Sequence, residues 1–258
     1  MRGRPQKKVR SLISIALVIL TITSLTFSYF PKESTAAQID FSALYPDTVF
    51  RNGSQTTQPV VALTFDDGPD PRYTSQILDV LKKYDAKGTF FVIGDKAKND
   101  PDILQRMEEE GHVIANHTTS HIRISKTDSS EVLQEVVDTD DIIFNAVQKT
   151  PLFFRPPFGE LTIETVTSLQ AADKKIILWS IDTEDWKERP ADDIVATVKK
   201  DIEPGAIILM HDGGELSQDL QNTVKALDQL LQDLSTDYDF VTVEELLNEK
   251  AYIENETA

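Results

Sequence analysis

The sequence predicts an α/β fold: a (β/α) barrel of about seven parallel strands, preceded by one N-terminal transmembrane or signal helix. Three observations predict it. From residue 60 onward, short and almost purely apolar runs alternate with amphipathic stretches about seven times, as parallel strands do when helices bury both faces. Roughly 200 residues carrying that many units suit a barrel better than an open sheet. Finally, Arg2, Arg4, Lys7, Lys8 and Arg10 stand ahead of an apolar stretch from Leu12 to Phe30, the pattern of an export signal or membrane anchor.

Taken in order, the N-terminal run approaches the ~20 residues needed to span a bilayer and exceeds the ~7–15 of a usual signal core. An uncleaved anchor over residues 1–30 is the leading expectation, with cleaved secretion as the alternative, because Thr35 and Ala37 offer small residues for a cleavage site. Either way the remainder lies outside the cytoplasm by the positive-inside rule. Residues 31–58, rich in Ser, Thr, Gln and Asn without period, read as a linker, leaving 59–250 as the folded domain.

Within that domain Val60–Phe65 reads as a strand and Tyr73–Tyr84 as a helix with Ile77, Leu78 and Leu81 on one face. Thr89–Ile93 is a strand, followed after Pro101 by a helix through Met107 that Gly111 stops. Val113–Ala115 is a short strand. A long helix follows, opened by Asp128-Ser-Ser-Glu131 with capping-box spacing. Phe153–Phe154, Lys175–Ile181, Ala206–Met210 and Phe240–Val243 complete the strands. Helices over Ile163–Ala171, Pro190–Ile202 and Leu220–Leu234 stand between them, and Glu244–Leu247 closes the series.

Composition narrows the function. The 258 residues are 40% hydrophobic and 27% charged, with no cysteine, so disulfides and thiolate metal sites are excluded and any metal is held by His and carboxylate. Six of 26 basic residues lie in the first 37, against one of 43 acids, so the rest carries 20 basic and 42 acidic residues, a formal −22. That argues against nucleic acid and anionic lipid as partners of the domain, which contacts a membrane through its N-terminal segment only. A monomer is expected.

The residues that follow each expected strand carry the chemistry. Asp66 and Asp67 follow the first, His117 and His121 the third, Arg155 the fourth, Asp182, Asp185 and Trp186 the fifth, and His211 the sixth. In a parallel barrel those strand ends open onto one face, where such folds place active sites. Two adjacent carboxylates repel unless something offsets the repulsion; ordinary Asp-Gly-Pro turn chemistry is the plain alternative. A divalent cation resolves it. Neighbouring side chains at a strand end point different ways, so one aspartate can ligate while the other faces a substrate. Two imidazoles three residues apart, plus a carboxylate, commonly hold a catalytic zinc with open positions. Solvated surface histidines would not need to follow a buried strand. Asp182 reads equally as a loop cap, His112 as structural, and Asn116 as a support beside His117.

The segments "TFDDGP", "HTTSH", "RPPFG", "DTEDW" and "LMH", in this order, resemble the five motifs of polysaccharide deacetylases, the NodB-homology domain of carbohydrate esterase family 4. The resemblance runs from Val60 to about Leu247. It implies that the barrel is distorted and that the activity is metal-dependent removal of acetyl groups from a sugar polymer. Carried onto this chain, it makes Asp66 the catalytic base and Asp67, His117 and His121 the metal ligands. Arg155 becomes the partner that keeps the base ionised, His211 the general acid, and Asp185 the carboxylate that orients and charges it. Trp186 and Leu209 become the apolar wall around the acetyl methyl, with Pro157 and Phe158 also at the substrate. The family often has tyrosine where Phe158 stands. Its backbone N–H is the group implied in oxyanion binding, so phenylalanine is compatible with the role.

The expected substrate is cell-wall glycan, with N-acetylglucosamine units of peptidoglycan first. Chitin, poly-N-acetylglucosamine and O-acetyl xylan are the alternatives, and a catalytically silent glycan-binding protein is the rival from another class. The expected cofactor is a divalent metal, Zn2+ first, with Co2+ or another divalent ion as substitutes. A zinc peptidase is disfavoured, since no H-E-x-x-H occurs.

Overall fold

A computed structural model describes residues 39–53 and 56–253. The expected N-terminal anchor or signal and its cleavage site lie outside the described residues, among which no helix is long and apolar enough to cross a membrane. The compact unit begins at Phe41. Helix α1, Phe41–Leu44, and strand β1, Val49–Phe50, lie where the sequence reads as linker. The correction has a simple cause: β1 pairs in parallel with a later strand, and Val49 is buried in the core. A two-residue strand has no period for a sequence to show.

Nine parallel strands form one curled sheet among the described residues. Besides β1 they are β2 (Val60–Asp66), β3 (Gly88–Val92), β4 (Val113–Asn116), β5 (Phe153–Phe154), β6 (Lys175–Ile177), β7 (Ile181–Asp182), β8 (Ile207–His211) and β9 (Asp239–Val241). Their order is β1-β6-β5-β4-β3-β2-β8-β7, with β9 beside the start of β2. The helices that the sequence predicts all form: α2 (Thr74–Lys83), α4 (Pro101–Glu109), α5 (Ser129–Val147), α6 (Ile163–Ala171), α7 (Ala191–Asp201), α8 (Gln221–Leu234) and α9 (Val243–Leu247). Helix α3, Gly94–Asn99, is an addition.

One expected strand, 175–181, is instead two. β6 and β7 are consecutive in the chain yet sit on opposite arms of the sheet. The sheet therefore curls until its arms meet, and the barrel stays open along a seam at Leu178–Ser180. The expected capping box at Asp128–Glu131 also differs. The helix starts there, but the Asp128 side chain accepts no bond; its carbonyl takes the N–H groups of Glu131 and Val132, each at 3.0 Å. A complete box occurs instead at Thr242 and Glu245, opening α9.

Alternation along β2 sets up the site. Leu63 and Phe65 face the helices, with Phe65 stacked on Phe90 at 4.9 Å between ring centres. Ala62, Thr64 and Asp66 take the other face. Ala62 packs there with Phe91, Ile207 and α9 residues Val243 and Leu246. That places a fully buried Thr64 and a nearly buried Asp66 inside the barrel.

Candidate active site

Asp66 ends β2 and meets Arg155, whose guanidinium is completely buried. Arg155 Nη1 donates to Asp66 Oδ1 at 2.8 Å and to Thr64 Oγ1 at 2.8 Å. Its Nε and Nη2 donate across the seam, to the carbonyls of Ile177 (2.9 Å) and Leu178 (3.0 Å). Its flat face lies 4.0 Å over the Phe91 ring. This is the fork geometry that lysine cannot supply. It also explains the split strand: the carbonyls that a continuous ladder would use are satisfied by a side chain.

Asp67 leaves the strand in a left-handed conformation, φ 70°, and so points away from its neighbour. Its Oδ1 lies 3.4 Å from His117 Nε2 and 3.2 Å from His121 Nε2. Asp66 Oδ2 is 3.8 Å from His117 Nε2. His117 is fixed from behind, with Nδ1 2.7 Å from the Arg155 carbonyl, which turns Nε2 toward Asp67. The two histidines sit on a tight loop with Thr118 at φ 65° and His121 at φ 57°.

These three side chains form a group able to hold a metal ion, their ligating atoms all within 4.8 Å of one another. They fit the part on a second count. Asp67 Oδ1 is buried and has no hydrogen-bond partner, a costly state for a carboxylate oxygen unless a cation meets it. Burial raises the Asp67 pKa, but the His117 ring close beside it and the charges of the three histidines hold it well below the usual range. Burial pulls the His121 pKa down, Asp67 opposing, which favours the neutral imidazole that ligates.

Across the opening, His211 ends β8 beside Asp66 in register. Its Nδ1 is 2.7 Å from Asp185 Oδ1, and its N–H donates to Asp185 Oδ2 at 2.8 Å. Thr223 Oγ1 and the Trp186 N–H also donate to this 1%-exposed carboxylate. Burial lowers the His211 pKa, but Asp185 outweighs it and pushes the value up to about 9. Asp66, Asp67, His117, His121 and His211 line one cavity of about 1030 Å³, with Phe158, Trp186 and Leu209. Leu209 is buried, whereas Trp186 and Phe158 are about half exposed at the rim. Phe158 holds φ 60°, its ring centre lies 4.6 Å from that of His121 with the two planes tilted by 59°, and it lies under Arg123. Pro157 is buried behind it.

The remaining candidates separate cleanly. Asp182 is exposed and accepts from the Glu184 N–H at 2.9 Å, a loop cap at the cavity wall. His112 is buried and accepts from the Gly88 N–H, with burial pulling its pKa down to about 4. Residues not singled out from the sequence also matter. Lys96 Nζ donates to the Asp67 carbonyl at 2.8 Å and to that of Gly214 at 3.2 Å. Asp212 is wholly buried beneath the Gly68–Pro69 turn, where Thr74 donates to it at 2.7 Å. Burial pushes its pKa up to about 7. Asp212 had a signal, its adjacency to His211; Lys96 had none.

A family model described as polysaccharide deacetylase matches residues 53–177. Two Bacillus cereus proteins, each described as a peptidoglycan-N-acetylglucosamine deacetylase, are similar to this chain. One is 41% identical over 178 residues, covering 68% of this chain and 63% of that one. The other is 39% identical over 196 residues, covering 75% and 90%. The chain thus spans under two thirds of the first relative's length. A crystal structure of a peptidoglycan N-acetylglucosamine deacetylase in complex with 4-naphthalen-1-yl-N-oxidanyl-benzamide matches with a TM-score of 0.78 at 36% identity, covering 82% of this chain and 98% of that chain.

Proposed function

Because this chain belongs to the polysaccharide deacetylase family, we propose that it is a metal-dependent hydrolase removing N-acetyl groups from N-acetylglucosamine units of peptidoglycan. It acts outside the cytoplasm as a monomer, tethered by or released from its N-terminal segment. The observation that carries the reading is convergence. An Asp-His-His metal group, an arginine-paired aspartate and an aspartate-paired histidine come from five strand ends to one opening.

Asp67, His117 and His121 hold the cation, zinc in this reading. What it supplies when bound is Lewis acidity, which brings the pKa of water from about 15.7 toward about 7. Asp66 commits Oδ1 to Arg155 and keeps Oδ2 for the proton of the attacking water. The Phe158 N–H donates to the oxygen that gains charge as water adds to the acetyl carbonyl. His211, protonated at neutral pH and oriented through Nδ1 by Asp185, gives a proton from Nε2 to the departing nitrogen. Acetate and a free amine result. The acetyl methyl lies against Leu209 and Trp186, with Pro157 and Phe158 framing the sugar.

The test is acetate release from peptidoglycan, chitin oligomers, poly-N-acetylglucosamine and acetylated xylan, with and without EDTA. Chelator-sensitive release that is fastest from peptidoglycan supports the proposal. Glycan binding without release establishes the silent-binder reading, and chelator-resistant turnover overturns the metal assignment.

A further inference from the structure

Behind the metal group lies a buried ion pair that the mechanism above does not use. Lys174 and Asp140 are 6% and 8% exposed. Lys174 Nζ donates to Asp140 Oδ2 and to the Pro151 carbonyl, both at 2.5 Å. The other carboxylate oxygen, Oδ1, accepts from Asn116 Nδ2 at 2.8 Å. The same amide nitrogen donates to the Val136 carbonyl at 2.8 Å. With both amide hydrogens committed, the Asn116 oxygen is oriented to accept the Thr118 N–H, at 2.9 Å.

Thr118 is where this chain of bonds meets the site. It stands between the two histidines, completely buried, at φ 65°. A β-branched residue resists that left-handed conformation and keeps it only where surroundings over-determine it. Without that turn, the chain from His117 to His121 runs in a different direction and the two Nε2 atoms no longer face Asp67. The pair itself is poorly explained as a stabiliser. Buried ion pairs gain little over apolar residues of the same size, and Asp140 sits on α5 between the buried apolar residues Val136 and Ile143. What a carboxylate supplies there, and a leucine cannot, is an acceptor for Asn116.

We infer that Lys174 and Asp140 are positioning residues for the metal centre: the ion pair fixes the Asn116 amide, which holds Thr118 in the turn that aims His117 and His121 at one point. The inference rests on Asp67, His117 and His121 holding a metal. It concerns how tightly that metal is held, and neither residue touches it.

The experiment measures zinc affinity of the full chain by competition with a chromogenic chelator, with a thermal melt as a folding control. In Asp140→Leu/Lys174→Met the charges leave together, so no orphan ion remains. Zinc binding is expected to weaken about 10- to 100-fold, as is usual when groups behind metal ligands are lost. Asp140→Asn/Lys174→Met keeps an oxygen for Asn116 and is expected to stay within about threefold of wild type. Should leucine overpack and prevent folding, Asp140→Ala/Lys174→Met removes the same acceptor and carries the same expectation. A folded variant lacking the acceptor but binding zinc like wild type overturns the inference, as does equal loss in the Asn and Leu variants. Wild-type protein that binds no zinc overturns this and the metal assignment together; zinc binding in wild type with no variant effect overturns this alone.

Discussion

Asp185 grips His211 at two points, its Oδ1 meeting the imidazole Nδ1 at 2.7 Å while its Oδ2 accepts the backbone N–H at 2.8 Å. One carboxylate therefore fixes the position of the ring and its charge together, a division familiar from other His–Asp pairs.

A pH dependence follows. Burial lowers the His211 pKa, Asp185 with the nearby Asp67 and Asp66 outweighs that, and the result is about 9. With protonated His211 as the donor of the proposed mechanism, kcat/KM is expected to fall as pH rises through about 9. Asp185→Asn removes the main raising influence and moves that limb toward the ordinary 6.5. The sign for stability is the same: a raised histidine contributes fully below pH 6.5 and nothing above about 9. Urea midpoints across that window should fall more for wild type than for Asp185→Asn; equal falls refute the assignment.

The two aspartates should separate by readout. Asp66→Asn keeps an oxygen for Arg155 but cannot take a proton, and kcat is expected to drop about 10²- to 10⁴-fold with zinc still bound. Asp67→Asn should instead weaken zinc binding. Isothermal titration with Zn2+ beside a kcat measurement distinguishes them, and swapped phenotypes would exchange the roles.

Arg155→Met leaves the buried Asp66 unpaired and frees the carbonyls of Ile177 and Leu178. Removing one partner of a buried pair costs about 3–5 kcal/mol, which urea denaturation would read directly. A loss below about 1 kcal/mol would mean that the pair is solvated.

Adjacent glycines offer a steric contrast. A Cβ at Gly213 would lie 2.2 Å from the Asp67 carbonyl oxygen, whereas one at Gly214 meets Gln218 Oε1 at 2.0 Å. The first obstacle is backbone of the turn that carries Asp67; the second is the mobile end of a side chain. Gly213→Ala is expected to weaken zinc binding about tenfold, and Gly214→Ala to change it no more than about twofold. Equal effects would show that the loop yields at both positions.

What was legible in the sequence follows a physical rule. Strands such as Gly88–Val92 and Ile207–His211, buried almost throughout, show as nearly continuous apolar runs, and the chemistry at their ends could be placed by counting along them. The interruption between Ile177 and Ile181 could not be seen, because Leu178 is as apolar as the strand around it. What stops the ladder there is Arg155, some 20 positions away in sequence, taking its carbonyls. The Asp140–Asn116 contact was equally silent, since one acid in an amphipathic helix looks like any solvated residue. The adjacency of Asp66 and Asp67 was visible at once, but only the left-handed backbone at Asp67 shows how the two are kept apart.

The seam has an evolutionary consequence. The guanidinium that seals it is also the counter-ion of Asp66, so, given the proposed function, a descendant that abandoned hydrolysis could not shed either residue alone. An apolar residue at 66 would strand a cation inside the wall, and one at 155 would unfasten the wall itself. Histidine 121, by contrast, lies toward the rim with its side chain 26% exposed, and can drift with little harm to folding. Inactive descendants are therefore expected to lose ligands first and to carry the arginine–aspartate pair as a fossil of the lost activity.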